Sequence, residues 1–317
     1  MKLYCRLCVL LLLAACSDKY AEPLVFGGVT WPGYDPAYIA RELGYLKEEQ
    51  VHLAEFTNAT EVLRAFRNGQ LHVAGLTLDE ALSLRRSVPD LQIFLVADFS
   101  NGADVLMVRR GIQNLRQLKG KRIGVEKTAL GAYYLSLILQ AANLSSNDVH
   151  IVSLPLDEHV HAFHAGLVDA VVTFAPTQEK LAQEGAEVLF DSSRVPGKIV
   201  DVLVVRAADA EAQKAHLLAL VRAWFHAVSV VQKEPALAYP IMARHEQVLP
   251  AQIEDTLHGL LLLDRQQNLQ QFAGNPSMLF STSTDIQRIL KDSGLVTGSD
   301  DLAQLLNPRL VEEANLD

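Results

Sequence analysis

Acidic side chains crowd the places where this chain could hold a small molecule. Asp35, Asp79, Asp98, Asp104, Glu126 and Asp201 all fall in or beside loops that follow short apolar runs, and Lys127 is the single basic residue among those loops. Such a set repels an anion through its summed field and offers acceptors to a neutral or cationic, nitrogen-containing ligand. Flat partners stand nearby: Trp31 and Tyr34 present apolar faces with a polar edge, and Gly33 between them lets backbone come close. The loop Thr57-Asn58-Ala59-Thr60 either touches a ligand or caps a helix that begins at Glu61, through Asn58 or Thr60. The same choice applies to Thr77 and Asp79, ahead of a helix that takes in Glu80. Lys127, Thr128 and Ala129 open an apolar helix running to Ala142, whose unpaired N–H groups suit an anion or a carbonyl oxygen. Phe174, Thr177 and Asp201 complete the candidate ligand-binding set.

Metal and covalent chemistry find less support. Asp157, Glu158, His159, His161 and His164 are close in sequence; on a helix Asp157 with His161, or His161 with His164, share a face as zinc ligands would. The alternative, adopted here, is an acidic first turn followed by solvent-facing histidines, with Val160, Phe163 and Leu167 pointing inward. No metal and no cofactor is expected. Cys5, Cys8 and Cys16 are the only cysteines, so the body of the chain has neither a disulfide framework nor a thiol nucleophile. Nucleophile-elbow, phosphate-loop and dinucleotide motifs do not occur, and the chain is not expected to be an enzyme. A net charge of −9, from 28 basic against 37 acidic residues, argues against nucleic acid as a partner.

The elements that must position these residues alternate along the chain. Half of the 317 residues are hydrophobic, enough for a large core. Apolar runs at 24–29, 51–55, 71–75, 91–97, 104–108, 122–125, 149–153, 170–173, 187–190 and 201–205 read as strands, with helical-period segments between most of them. That pattern is α/β with largely parallel sheets, in which ligands sit outside the carboxyl ends of the strands. Beyond Val205 the chain turns helical, at 208–233, after Pro235, and at 250–263. The polar stretch 109–121 and the neighbourhood of Val202 read as crossings between two lobes. The division expected is 24–108 with 203–298 as the first lobe, 109–202 as the second, and 299–317 as a loosely attached acidic tail.

Residues 1–15 place Lys2 and Arg6 before the apolar run 9–13 and then small residues, the order of a secretory signal. Leu13-Ala14-Ala15-Cys16 followed by Ser17 resembles a bacterial lipobox. That resemblance implies acylation of Cys16, cleavage before it, a short tether at 16–23, and a protein held by lipid in the periplasm or at the cell surface.

Several motifs then follow in order: Trp31-Pro32-Gly33-Tyr34-Asp35-Pro36-Ala37, Leu43-Gly44-Tyr45-Leu46, Phe66-Arg67-Asn68-Gly69-Gln70-Leu71, Leu118-Lys119-Gly120-Lys121-Arg122-Ile123-Gly124-Val125 and Ala165-Gly166-Leu167-Val168-Asp169-Ala170. Their order and spacing resemble the nitrate, sulfonate and taurine family of ABC-transporter solute-binding proteins, which also holds thiamine-pyrimidine binders. The resemblance implies a bilobed periplasmic-binding fold of the type with two crossovers, a ligand between the lobes, and a monomer that delivers its solute to an inner-membrane permease and ATPase. A ligand-sensing lipoprotein that signals to a membrane kinase or cyclic-dinucleotide enzyme is the alternative. A related fungal pyrimidine synthase relies on a cysteine-rich segment that this chain lacks after Cys16. One departure stands out: where the family has aromatic-Glu-Pro, this chain has Phe174-Ala175-Pro176, so no role of that Glu carries over.

Overall fold

Most strands are short and largely apolar, and most are followed by a segment of helical spacing, so the chain folds as successive βα units. The computed structural model describes residues 22–127, 130–298 and 301–315. Cys16 with the segment before it, Thr128 and Ala129 lie outside the described residues. The first lobe opens with β1 (Leu24–Val29), α1 (Asp35–Glu42), β2 (Val51–Phe56), α2 (Ala59–Arg67), β3 (Val73–Thr77), α3 (Leu78–Arg85) and β4 (Leu91–Ser100). The second holds β5 (Asp104–Val108), β6 (Arg122–Val125), α4 (Leu130–Ala142), β7 (His150–Ser153), α5 (His159–His164), β8 (Ala170–Phe174), α6 (Thr177–Gln183) and β9 (Glu187–Asp191). The chain returns through β10 (Val200–Arg206), α7 (Ala207–Ala212), α8 (Lys214–Lys233), α9 (Pro235–Glu246) and α10 (Pro250–His258). It ends with β11 (Leu260–Leu262), α11 (Arg265–Phe272), α12 (Met278–Asp292) and α13 (Arg309–Glu313).

Among the described residues the strands form a six-stranded sheet, β11-β4-β10-β3-β1-β2, and a five-stranded one, β7-β6-β8-β5-β9. β1 pairs in parallel with β2 and β3, as β6 does with β7 and β8. Strands joined by a helix run the same way because the helix carries the chain back along the sheet. β5 and β10 arrive directly from the opposite lobe instead, entering at the carboxyl edge, and so run antiparallel to their neighbours.

This pairing corrects the expected crossings. β5 belongs to the second sheet, so the first crossing lies at 101–103 rather than 109–121; β10 is wholly in the first sheet, so the second lies at 192–199 rather than near Val202. The two crossings are stitched together: Ser100 Oγ lies 2.7 Å from Ser192 Oγ, and Gly102 N donates to the same hydroxyl at 2.6 Å.

Three further expectations change. The helix at 208–233 breaks at Gln213 (φ −109°, ψ 18°) into α7 and α8. The segment 250–263 is helix only to His258; Gly259 then packs so closely on the first crossing that a Cβ would lie 2.8 Å from Ala103 N, and β11 pairs with β4. The tail is not loose. Ile93 N donates to Leu305 O at 2.7 Å and Asn307 N to Ile93 O at 2.8 Å, covering the length of β4 that β11 leaves open.

α8 is the core helix of the first lobe. It is long and apolar enough by composition to cross a membrane, yet Leu217, Leu220, Val221, Trp224, Phe225 and Val228 are buried, with Trp224 edge-on to Phe26 at 6.4 Å. Leu310 and Val311 of α13 are buried as well, and α13 packs on α8. Leu310→Ala is therefore expected to destabilise the protein by about 2–4 kcal/mol, read as a lower melting temperature; an unchanged melting temperature would mean that the tail contributes nothing to the core.

Candidate functional site

Strand pairing sets the floor of the interlobe cleft. Asp201 of β10 stands opposite Thr77 of β3 on one side and Asp98 of β4 on the other. The loop after β1 brings two aromatic donors onto these acids: Tyr34 OH donates to Asp201 Oδ1 at 2.6 Å, and Trp31 Nε1 to Asp98 Oδ2 at 3.2 Å. Glycine makes the approach possible. A Cβ on Gly33 would lie 1.9 Å from Asp98 Oδ2, and one on Gly75 2.9 Å from the Tyr34 ring. Both donors are thus engaged in orienting carboxylates, and the two rings are only 4% and 3% exposed.

The second lobe closes over this floor. Phe174 meets Trp31 edge to face, ring centroids 5.3 Å apart. Glu80 accepts from Thr77 N at 3.0 Å, closing the cap of α3, and its other oxygen accepts from Leu130 N at the start of α4, also at 3.0 Å. Glu126 accepts from Thr60 N at 2.7 Å and from the Thr60 hydroxyl. The start of α4 was expected to hold an anion or a carbonyl oxygen, but its Leu130 N–H already serves a carboxylate of the opposite lobe.

Between the lobes lies a narrow cavity of about 40 Å³, enough for a few waters. Of the expected residues, Trp31, Tyr34, Thr77, Phe174 and Asp201 line it. Glu80, Asp104, Glu126, His159 and Thr173 join them. In sequence, Glu80 reads as part of a helix start and His159 as a solvent-facing residue, while Asp104 and Glu126 contribute only to local charge. The Thr77-x-x-Glu80 spacing is the one signal that marked Glu80, and it marks a capping box equally well.

The remaining expected residues do not line the cavity. Gly33 and Asp98 form the layer behind Trp31. Asn58 caps α2, accepting from Glu61 N at 3.0 Å, and donates to Asp157 Oδ1 at 3.3 Å. Asp79 is buried in the first turn of α3, Thr177 is buried at the start of α6, and Lys127 is exposed. The histidine-rich segment scatters: His164 pairs with Glu184 at 2.7 Å, while His159 is 1% exposed with Nε2 3.3 Å from Leu154 O. His159 is therefore not solvent-facing, and Leu167, expected inside, is 53% exposed.

Electrostatically the site is one-sided. Glu80, Asp104, Glu126 and Asp201 line the cavity, and no Lys or Arg among the described residues does. Burial holds the neighbouring His159 down at about 4, so its ring is neutral. Asp98 Oδ1, Asp104 Oδ2 and Asp201 Oδ2 are buried with no N–H or hydroxyl donor, and Asp98 and Asp201 stand close enough to share a proton. Desolvation is the main cause that pushes Asp79 and Asp104 up to about 7 and Glu80 and Asp98 up to about 8. It also raises Asp201 well above the carboxylate range, with the Asp98 charge adding to it.

These acids hold protons in the folded chain at a pH where the unfolded chain has already released them. The stability they contribute is full below the ordinary carboxylate range and is lost as pH rises through about 7 to 8. The melting temperature of the ligand-free protein is expected to fall between about pH 7 and pH 9, where histidine titration no longer interferes. Asp98→Asn, which keeps a neutral acceptor for Trp31, should flatten that fall; a melting temperature that rises over the range contradicts the assignment.

Comparison with known proteins agrees with this architecture. The chain is 25% identical over 299 residues to the taurine-binding periplasmic protein of Escherichia coli, covering 88% of this chain and 90% of that protein. Among solved structures, the alkanesulfonate-binding protein SsuA from Xanthomonas axonopodis pv. citri, bound to MOPS, aligns with a TM-score of 0.75 at 19% identity, over 90% of this chain and 99% of that one. The desulfurization enzyme DSZB aligns with a TM-score of 0.66 at 17% identity, over 92% of this chain and 98% of that one. The fold is thus the bilobed periplasmic-binding type, one shared by binders and an enzyme. The sequence matches the NMT1-like family over residues 18–243, most of its length, and the chain belongs to that family.

Proposed function

We propose that this protein is an extracytoplasmic solute-binding lipoprotein that takes a small neutral or cationic, nitrogen-containing molecule into its interlobe cavity. It hands that molecule to an ABC permease and its ATPase. One observation carries the choice of ligand: the cavity is lined by four acids and by no Lys or Arg among the described residues, and two of those acids, Asp104 and Asp201, each hold a buried oxygen with no donor. An ammonium, an amidinium or an N–H-bearing ring donates to these acids as they give up their protons, whereas a bare sulfonate or nitrate brings its own negative charge into a low-dielectric site and requires the acids to stay protonated. Trp31 and Phe174 offer apolar ring surface beside those acceptors.

Delivery to an importer is supported by family membership and by the taurine-binding relative that spans most of the chain. Binding rather than catalysis suits a site whose aromatic donors and helix-start N–H are already engaged. The lipobox-like Leu13-Ala14-Ala15-Cys16 supports anchoring at a membrane surface by acylation of Cys16, with the body as a monomer in the periplasm or at the cell surface.

Calorimetric titration with polyamines, guanidines, pyrimidines, taurine, ethanesulfonate and nitrate tests the ligand class. A cation should bind more tightly as pH rises through about 7 to 8, with proton release, because it replaces the protons that the acids share. An anion held by protonated acids would show the opposite slope, and tight binding of ethanesulfonate or nitrate with that slope overturns the reading. Asp201→Asn is expected to weaken the nitrogen ligand by at least about tenfold. Labelling cells with a radioactive fatty acid tests the anchor: wild-type chain should take up label and Cys16→Ser should not.

A further inference from the structure

The acid that opens α1 does not serve the interlobe cavity. Asp35, counted by sequence among the cleft acids, turns away from it toward the last turn of α9. There Asp35, His245 and Glu246 each bring one potential ligand atom within 4.8 Å of the others. His245 Nδ1 lies 2.6 Å from Asp35 Oδ1, and Tyr38 stacks on the imidazole with ring centroids 3.7 Å apart. Asp35 is 0% and Glu246 2% exposed, and Asp35 Oδ2, His245 Nε2 and both Glu246 carboxylate oxygens are buried without a hydrogen-bond partner.

We infer that Asp35, His245 and Glu246 form a divalent transition-metal site that ties the start of α1 to the end of α9. Two desolvated carboxylates beside an imidazole, with three unpartnered oxygens among them and an imidazole Nε2 that meets only Glu55 at 3.6 Å, form an arrangement that costs free energy and is satisfied by one divalent cation. Imidazole with carboxylates suits zinc or another late transition ion, whereas calcium and magnesium favour all-oxygen shells. Glu55, whose Oε2 is 3.6 Å from His245 Nε2 and whose side chain is 44% exposed, stands on the open side of the cluster, where it can supply a fourth ligand and an entry path. The imidazole plane is fixed by Tyr38 stacked on it, with Arg41 over that tyrosine, so the ring is oriented before an ion arrives. Asp35 follows directly on the loop bearing Trp31 and Tyr34, so an ion here would also hold the root of that loop.

Zinc titration of the purified mature chain, with a chromophoric chelator as competitor, tests this without any variant. One equivalent should bind and raise the melting temperature, and cobalt(II) in its place should show ligand-field absorption in the visible. Glu246→Gln and His245→Gln should each weaken zinc by about a hundredfold or more, while the double variant His161→Ala/His164→Ala, which removes exposed histidines, should leave it unchanged. No stoichiometric zinc binding by the folded wild-type chain overturns the assignment. So does binding that survives both ligand variants or is lost only with His161 and His164.

Discussion

The desolvation of carboxylates without a fixed cation beside them is the constraint around which this structure is organised. A folded chain seldom buries Asp or Glu unless each is paired or hydrogen-bonded. Here Asp79, Glu80, Asp98, Asp104 and Asp201 are all nearly inaccessible, and burial is the largest reason that each is raised far above its ordinary range. Much else serves their placement. Tyr34 and Trp31 give up their donors to Asp201 and Asp98, and Gly33 and Gly75 lack side chains where a Cβ would collide with that arrangement.

The same acids join the lobes. Glu80 reaches from α3 to the Leu130 N–H at the start of α4, Glu126 reaches back to Thr60 at the start of α2, and Asn58 donates across the cleft to Asp157. Lobe contact and carboxylate chemistry therefore share atoms, so any donor entering the cavity competes with bonds that hold the lobes together. The two crossings at 101–103 and 192–199, tied through Ser100 and Ser192, are the covalent routes along which the lobes remain joined.

The position of β10 links these features. As an antiparallel strand inserted between β3 and β4, it carries Asp201 to the carboxyl edge, where Thr77 ends β3 and Asp98 lies two residues before the end of β4. A strand supplied by a βα unit of the same lobe would run the other way and present its carboxyl end there. The crossover topology thus creates the acidic floor, and the glycine-bearing loop after β1 furnishes its donors.

By itself, the sequence determined the α/β class, the start of nearly every strand, the acidic sign of the loops and the place of Trp31, Tyr34, Thr77, Phe174 and Asp201 at the cleft. Those features follow from short-range periodicity, turn chemistry and local charge, which neighbouring residues along the chain specify. Tertiary structure alone decided which acids share a space. Asp35 and Asp104 read alike in sequence, yet one faces His245 across α1 and α9 while the other lines the interlobe cavity. Glu80 and His159 read as a helix cap and a surface residue until partners distant in sequence, Leu130 and Thr173, gave them another setting. The 299–317 segment reads as loose because it is acidic; Leu305 and Leu310 find their core only where β4 and α8 lie beside them. Periodicity along a chain specifies which face of an element is buried, but the packing of elements far apart in sequence decides what that face meets.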